Sequence, residues 1–226
     1  MARKPAPEPR NVQAKQRIFV VEDHPVFCEG LIRLITAEKD LTVCGKAADG
    51  KKALKDISEL KPDLALIDLG LPGKSGLDLI KEVRAQKLPV KLLVVSMFDE
   101  AIYAQRVLSA GGDGYIMKQE DPPEIISAIR DVLAGRIYAS EEVLASGAAK
   151  APAADHAGAL GKLTDTELQM LEMLGEGRSN QEIAGKFQLT ESEVKVKCDG
   201  LQQKLRLDCI NALIRFAVRW VESGTQ

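Results

Sequence analysis

Five residues that could do chemistry together stand at the ends of short apolar runs. Glu22 and Asp23 close "RIFVVED", Asp68 closes "LALID", Ser96 closes "KLLVVS" and Lys118 closes "DGYIMK". Three carboxylates in one crevice repel each other, and unless a cation joins them at least one holds its proton. Mg²⁺ suits such a site, because it takes hard oxygen ligands from a few carboxylates and completes its shell with water and phosphate. One carboxylate can then act as nucleophile on a phosphoryl group and form an acyl phosphate. A lysine and a hydroxyl beside it grip the phosphoryl oxygens. Asp68 is the expected nucleophile, since it opens the loop "DLGLPGKSG" with space above it.

The elements that must position these groups are strands. "RIFVVED", "LTVCGKA", "LALIDL", "KLLVVSM" and "DGYIMK" are rich in Val, Ile and Leu. Helical patterns lie between them ("PVFCEGLIRLITAE", "GKKALKDISELK", "SGLDLIKEVRAQ", "AIYAQRVLSA"), and "PPEIISAIRDVLAG" follows the last. Strict alternation implies a five-stranded parallel, doubly wound sheet, covered on both faces. Ligands of such sheets bind at the carboxyl ends of the strands, near a topological switch point. The second strand ends in Ala47 and Ala48, without a reactive group. In the order 2-1-3-4-5 that strand lies at an edge and the other four strand ends share the crevice.

Composition bounds what else the chain does. Its 226 residues suffice for one large domain or two small ones, and 45% hydrophobic with 28% charged residues is ordinary for a globular protein. A net charge of −2 exerts no bulk pull on nucleic acid or membrane, so any DNA binding needs a local basic patch. No apolar run approaches the roughly 20 residues of a membrane span, and the basic, Pro-rich "MARKPAPEPRNVQAK" lacks the apolar core of a secretory signal. Residues 1–16 read as a disordered tail and the protein as cytoplasmic. Cys28, Cys44, Cys198 and Cys209 form no CxxC pair and read as small buried thiols.

The stretch from about residue 17 to 137 resembles the receiver domain of two-component response regulators, through "VVEDH", "LIDLGLPGKSGLDLI", "VVSMFD" and "GYIMK". The resemblance implies that a sensor histidine kinase phosphorylates Asp68. It implies that Glu22, Asp23, Asp68 and the backbone carbonyl of Gly70 hold Mg²⁺. Ser96 would swing towards the phosphoryl group, Lys118 would pair with it, and Tyr115 would be the aromatic that turns inward on activation. His24 reads as a loop residue. Haloacid-dehalogenase-like phosphatases also use an aspartyl phosphate, but they carry a second acid two positions later, where this chain has Gly70. The chain therefore reads as no enzyme.

The texture then changes. "ASGAAKAPAADHAGALG", residues 145–161, offers no apolar face, and the segment 138–160 reads as a flexible linker. Only helices follow, in an all-α domain over 161–226. Thr164 with Glu167, Ser179 with Glu182 and Thr190 with Glu193 are Ser/Thr-x-x-Glu capping boxes, which fix three helix starts. "CINALIRFAVRWVE" supplies a fourth helix.

From about Leu163 to Val221 this part resembles the LuxR-like helix-turn-helix of NarL/FixJ-type regulators, through L-T-x-x-E, G-x-S-N-x-E-I-A, "VKVK" and "KL". The resemblance implies that the helix from Glu191 to about Leu205 enters the major groove. It also implies that the last helix forms a homodimer seam through Ile210, Leu213, Ile214 and Ala217, and that the dimer binds an inverted-repeat DNA site. At 100° per residue Val194, Cys198, Leu201 and Leu205 face the core. Val196, Asp199, Gly200 and Gln203 point away, with Lys195, Lys197, Gln202 and Lys204 on the shoulders, where phosphates would lie. Asp199 stands where relatives often carry a basic or polar residue, and Lys195, one turn earlier, could neutralise it. The domain holds nine Lys/Arg against ten Asp/Glu, which is low for a DNA binder. The alternative is a receiver-controlled module whose helical domain has turned to a protein partner.

Overall fold

The structure is a computed structural model that describes residues 15–146, 160 and 162–223. The 1–16 tail therefore lies almost wholly outside the described residues, as does most of the linker.

The first domain runs β1 (Gln16–Val21), α1 (Pro25–Ala37), β2 (Leu41–Ala47), α2 (Gly50–Leu60), β3 (Leu64–Ile67) and α3 (Gly76–Ala85). It continues with β4 (Lys91–Ser96), α4 (Glu100–Ser109), β5 (Gly114–Met117) and α5 (Pro122–Leu133). All strand pairs are parallel and the order is β2-β1-β3-β4-β5, as the alternation of strands and helices requires. Side chains alternate across the sheet. Ile18 and Val20 face α1 and α5, beside Leu31, Ile35, Ile125 and Ile129. Phe19 and Val21 face the other side, with Ile57, Leu77, Ile80 and Val107. Burial on both faces explains why the strands read as unbroken hydrophobic runs.

One glycine sets the height of the site. At Gly76, the first residue of α3, a Cβ would fall 2.2 Å from the Asp68 carbonyl oxygen. Only a glycine lets that helix start directly beneath the loop that carries Asp68.

Residues 138–146 fall in the expected linker but are ordered. The Tyr138 carbonyl accepts from the Tyr115 amide at 2.7 Å, and Tyr138 forms a parallel bridge with Gly114. A short helix, α6 (Glu141–Ser146), follows and buries Val143. The reason is the open edge of β5, whose backbone groups need partners. Strand β1 likewise starts at Gln16, whose amide donates to the Asp40 carbonyl at 2.8 Å.

The second domain consists of α7 (Asp165–Gly175), α8 (Asn180–Phe187), α9 (Glu191–Leu205) and α10 (Ile210–Ser223). All three capping boxes are formed in both directions. Gln188 and Arg206 end α8 and α9 in the left-handed region at φ 55°, a role usually taken by glycine, which hid these ends in the sequence. Leu168, Leu171, Ile183, Val194, Leu201, Leu213 and Ala217 make the core. Cys28 and Cys198 are buried as expected, whereas Cys44 is half-buried and Cys209 exposed. Among the described residues no helix is long and apolar enough to cross a membrane.

Candidate phosphoacceptor site and DNA-facing helix

The four strand ends meet. The Glu22 amide donates to the Ala47 carbonyl at 3.0 Å and the Asp68 amide to the Val21 carbonyl at 2.9 Å, so the ladder extends into the residues that carry the acids. Lys118 follows β5, and its amide donates to the Ser96 carbonyl at 2.8 Å. Its Nζ lies 2.7 Å from Glu22 Oε2 and 3.1 Å from Asp68 Oδ2, with the Phe27 ring centroid at 4.7 Å. Glu22 and Asp68 are buried. Burial, then the Asp68 charge, raise the Glu22 carboxyl above the usual carboxylate range despite the pull of Lys118.

Asp23 is placed differently. Its Oδ1 is buried and has no hydrogen-bond partner, although His24 Nδ1 is 3.2 Å away. That ring nitrogen also lies 3.2 Å from Glu22 Oε1, so His24, which reads as a loop residue in the sequence, faces both acids that precede it. Glu22, Asp23, His24 and Asp68 offer ligand atoms within 4.8 Å of one another. A hard divalent cation fits this oxygen-rich set, and the orphaned Asp23 oxygen is the atom it would satisfy. Gly70 borders the group, since a Cβ there would lie 3.4 Å from Asp68 Oδ2.

Ser96 and Tyr115 complete the crevice wall. The Phe98 amide donates to Ser96 Oγ at 3.3 Å. Tyr115 is fully buried and donates its hydroxyl to the Phe98 carbonyl at 2.6 Å, so its ring lies inward in this structure. Burial holds its phenol well above the ordinary value.

Helix α9 shows the expected two faces. Val194, Cys198, Leu201 and Leu205 are buried. Val196 is 68% exposed, and Lys195, Asp199, Gln203 and Lys204 are exposed beside it, with Lys197 half-buried. Asp199 accepts from Gln202 Nε2 at 3.2 Å rather than pairing with Lys195. Lys204 is held away by Glu167, at 2.7 and 2.8 Å. No atom lies within 4 Å of a Cβ added at Gly200, so no contact calls for glycine there. In α10, Leu213 and Ala217 are wholly buried, and a Cβ on Gly175 would fall 2.5 Å from the Ala217 carbonyl. The close approach of α7 thus places these two residues in the domain's own core, while Ile210 and Ile214 remain exposed.

The sequence did not reveal that the two domains pack together. Gln169, buried on α7, donates to the Leu69 carbonyl at 3.1 Å. The Gly73 amide donates to the Lys186 carbonyl at 3.3 Å, and Lys186 Nζ donates to Asp23 Oδ2 at 2.8 Å. On α4, Arg106 reaches Asp165 at 3.1 Å and the carbonyls of Leu160 and Leu163, and Lys81 of α3 meets the same aspartate at 2.7 Å. Tyr103 donates to Glu172 Oε2 at 3.2 Å, and burial pushes that carboxyl up to about 8. On α7 the four consecutive residues "LQML" are buried, more than one core-facing stripe of a helix covers.

The family model described as the response regulator receiver domain matches residues 18–130, and that of bacterial regulatory proteins of the luxR family matches 161–217. The chain belongs to the two-component response regulators that join a receiver to a LuxR-type helix-turn-helix, and is a phosphorylation-controlled transcription regulator. It is 30% identical to the nitrate/nitrite response regulator protein NarL of Escherichia coli (strain K12), over 86% of this chain and 91% of that protein. A LuxR-family two-component response regulator from Aurantimonas sp. SI85-9A1 matches with 33% identity and a TM-score of 0.56, covering 60% of this chain and 96% of that one. The RcsB response regulator of Salmonella typhimurium shares the fold over 91% of this chain and 98% of its own, at 20% identity and TM-score 0.65.

Proposed function

We propose that Asp68 accepts a phosphoryl group from the phosphohistidine of a sensor kinase and that this promotes homodimerisation on an inverted-repeat DNA site. The observation that carries the reading is the buried Glu22–Lys118–Asp68 group beside the unpartnered Asp23 oxygen. An Asp68 carboxylate oxygen attacks phosphorus, the P–N bond breaks, and the imidazole nitrogen leaves with the electron pair. Lys118, already 3.1 Å from Asp68, moves with the added charge, and Ser96 supplies a hydroxyl to a phosphoryl oxygen. Glu22, Asp23, Asp68 and the Gly70 carbonyl would hold Mg²⁺, which when bound would supply positive charge beside the phosphoryl oxygens. Tyr115, already inward and bonded to the Phe98 carbonyl, walls the space beside Ser96 as that hydroxyl shifts.

On the helical domain, Val196, Asp199 and Gln203 face base edges, while Lys195, Lys197 and Lys204 meet phosphates once Lys204 leaves Glu167. The exposed Ile210 and Ile214 form the seam between protomers. The protein acts in the cytoplasm and turns over no external substrate. Incubation with a radiolabelled small-molecule phosphoryl donor should label the wild type and leave Asp68→Asn unlabelled; normal labelling of the variant would sink the assignment. Selection of genomic fragments with and without donor should enrich a two-fold-related motif in the phosphorylated protein alone.

A further inference from the structure

Lys186 belongs to the helical domain, yet its ammonium sits in the receiver's acidic crevice. It is the penultimate residue of α8, and its own carbonyl accepts from Gly73, in the loop that follows Asp68. That contact fixes the end of α8 and aims the side chain at Asp23, where Nζ stops 2.8 Å from Oδ2. Both side chains are largely covered, at 23% and 19% exposure. A Cβ on Gly70 would lie 3.6 Å from the same nitrogen and 3.4 Å from Asp68 Oδ2, so the ammonium and the Asp68 carboxylate border the same glycine. Lys118 already serves Glu22 and Asp68. Lys186 supplies the positive charge for Asp23, the remaining acid.

We infer that Lys186 occupies the divalent-cation position in the closed form, so that Mg²⁺ binding and domain packing exclude each other. The inference rests on the Mg²⁺ reading above. Mg²⁺ needs carboxylate oxygens at about 2.0–2.1 Å in near-octahedral order with water around it. An ammonium hydrogen-bonded to one of those oxygens takes up the water positions and repels the ion. The coupling is reciprocal: closure weakens Mg²⁺ binding by the factor by which Mg²⁺ weakens closure. The cation alone, before any phosphoryl transfer, then loosens the end of α8.

The test is calorimetric titration of MgCl₂ into the full-length protein, with small-angle scattering on the same samples. Lys186→Met should bind Mg²⁺ about 10-fold more tightly than wild type. Lys186→Arg, which keeps the charge, should stay near wild type. Mg²⁺ without a phosphoryl donor should increase the radius of gyration of wild type, and Lys186→Met should start expanded and change little. If Lys186→Met melts early, Lys186→Gln replaces it. Equal Mg²⁺ affinity in wild type and the uncharged variant would overturn the exclusion while leaving the metal site intact. Absence of Mg²⁺ binding in every variant would instead remove the metal reading itself, and this inference with it.

Discussion

At the strand ends, Glu22 and Asp68 are 4% and 5% exposed and share Lys118, whereas on α9 Val196 is 68% exposed and Asp199 has only the side chain of Gln202 as a partner. Both regions carry charged side chains, but they hold them in opposite ways. In the crevice Glu22, Asp68 and Lys118 are held by burial, and loss of the lysine leaves two carboxylates stranded. On the helix Lys195 and Asp199 are exposed to water, so substituting either changes little in the free protein. Interdependence should therefore decide the size of mutational effects more than distance from the chemistry.

The largest effect expected in the free protein follows from Lys118. Its replacement by Met leaves Glu22 and Asp68 facing each other in a covered site. Breaking a buried pair by removing one partner costs about 3 kcal/mol or more, which urea melts at pH 7 would read as a lower midpoint. Because the Glu22 carboxyl already lies above its usual range, it takes up a proton readily. The loss should then shrink as the pH falls towards 5. An equal loss at both pH values would mean that packing of the lysine stem, not its charge, is what the fold uses.

The contact between domains offers an intermediate case, since Glu172 is half-buried and not balanced by a cation. Tyr103 donates to it, Arg106 lies near Tyr103, and Glu176 and Asp99 oppose its ionisation. Its closed-state value of about 8 stands above the ordinary 4.5. A raised carboxyl means that closing takes up a proton between those two values. The contribution of this contact to closure is thus fully present below about pH 4.5 and is lost as the pH rises through about 8. Scattering between pH 6 and pH 9 should show wild type expanding with pH, and Glu172→Gln remaining compact. A Glu172→Gln protein that expanded as much as wild type would assign the transition to another group.

These cases also show what the sequence could disclose. The crevice was legible because apolar runs alternating with helices imply a parallel sheet whose strand ends converge, so Glu22, Asp68, Ser96 and Lys118 could be brought together from the sequence. The capping boxes were legible because each pairs residues three apart. The ordered run through Tyr138 to Ser146 was not, because an edge strand recruits whatever backbone lies within reach. The latch at Lys186 was hidden for a related reason. A lysine near a helix end reads as a favourable charge for the helix dipole, and only the approach of a second domain brings it to Asp23. Gln169 and Tyr103 were hidden likewise, since contacts between domains leave no period in either one.

The smallest effect belongs to Asp199, and it tests whether the helix really is the looser of the two regions. Exposed and bonded only to Gln202, it should contribute nothing measurable to stability, so Asp199→Ala should melt as wild type does. Against DNA, a carboxylate about 4 Å from a phosphate costs roughly 1 kcal/mol in water. Removing it should tighten binding about five-fold, in fluorescence anisotropy, on specific and scrambled duplexes alike. An aspartate can also accept a hydrogen bond from the cytosine amino group. Loss of affinity confined to sites with cytosine at one position would make Asp199 a reader of that base. The free carboxylate would then be functionally as constrained as those in the crevice, with DNA rather than the fold supplying its partner.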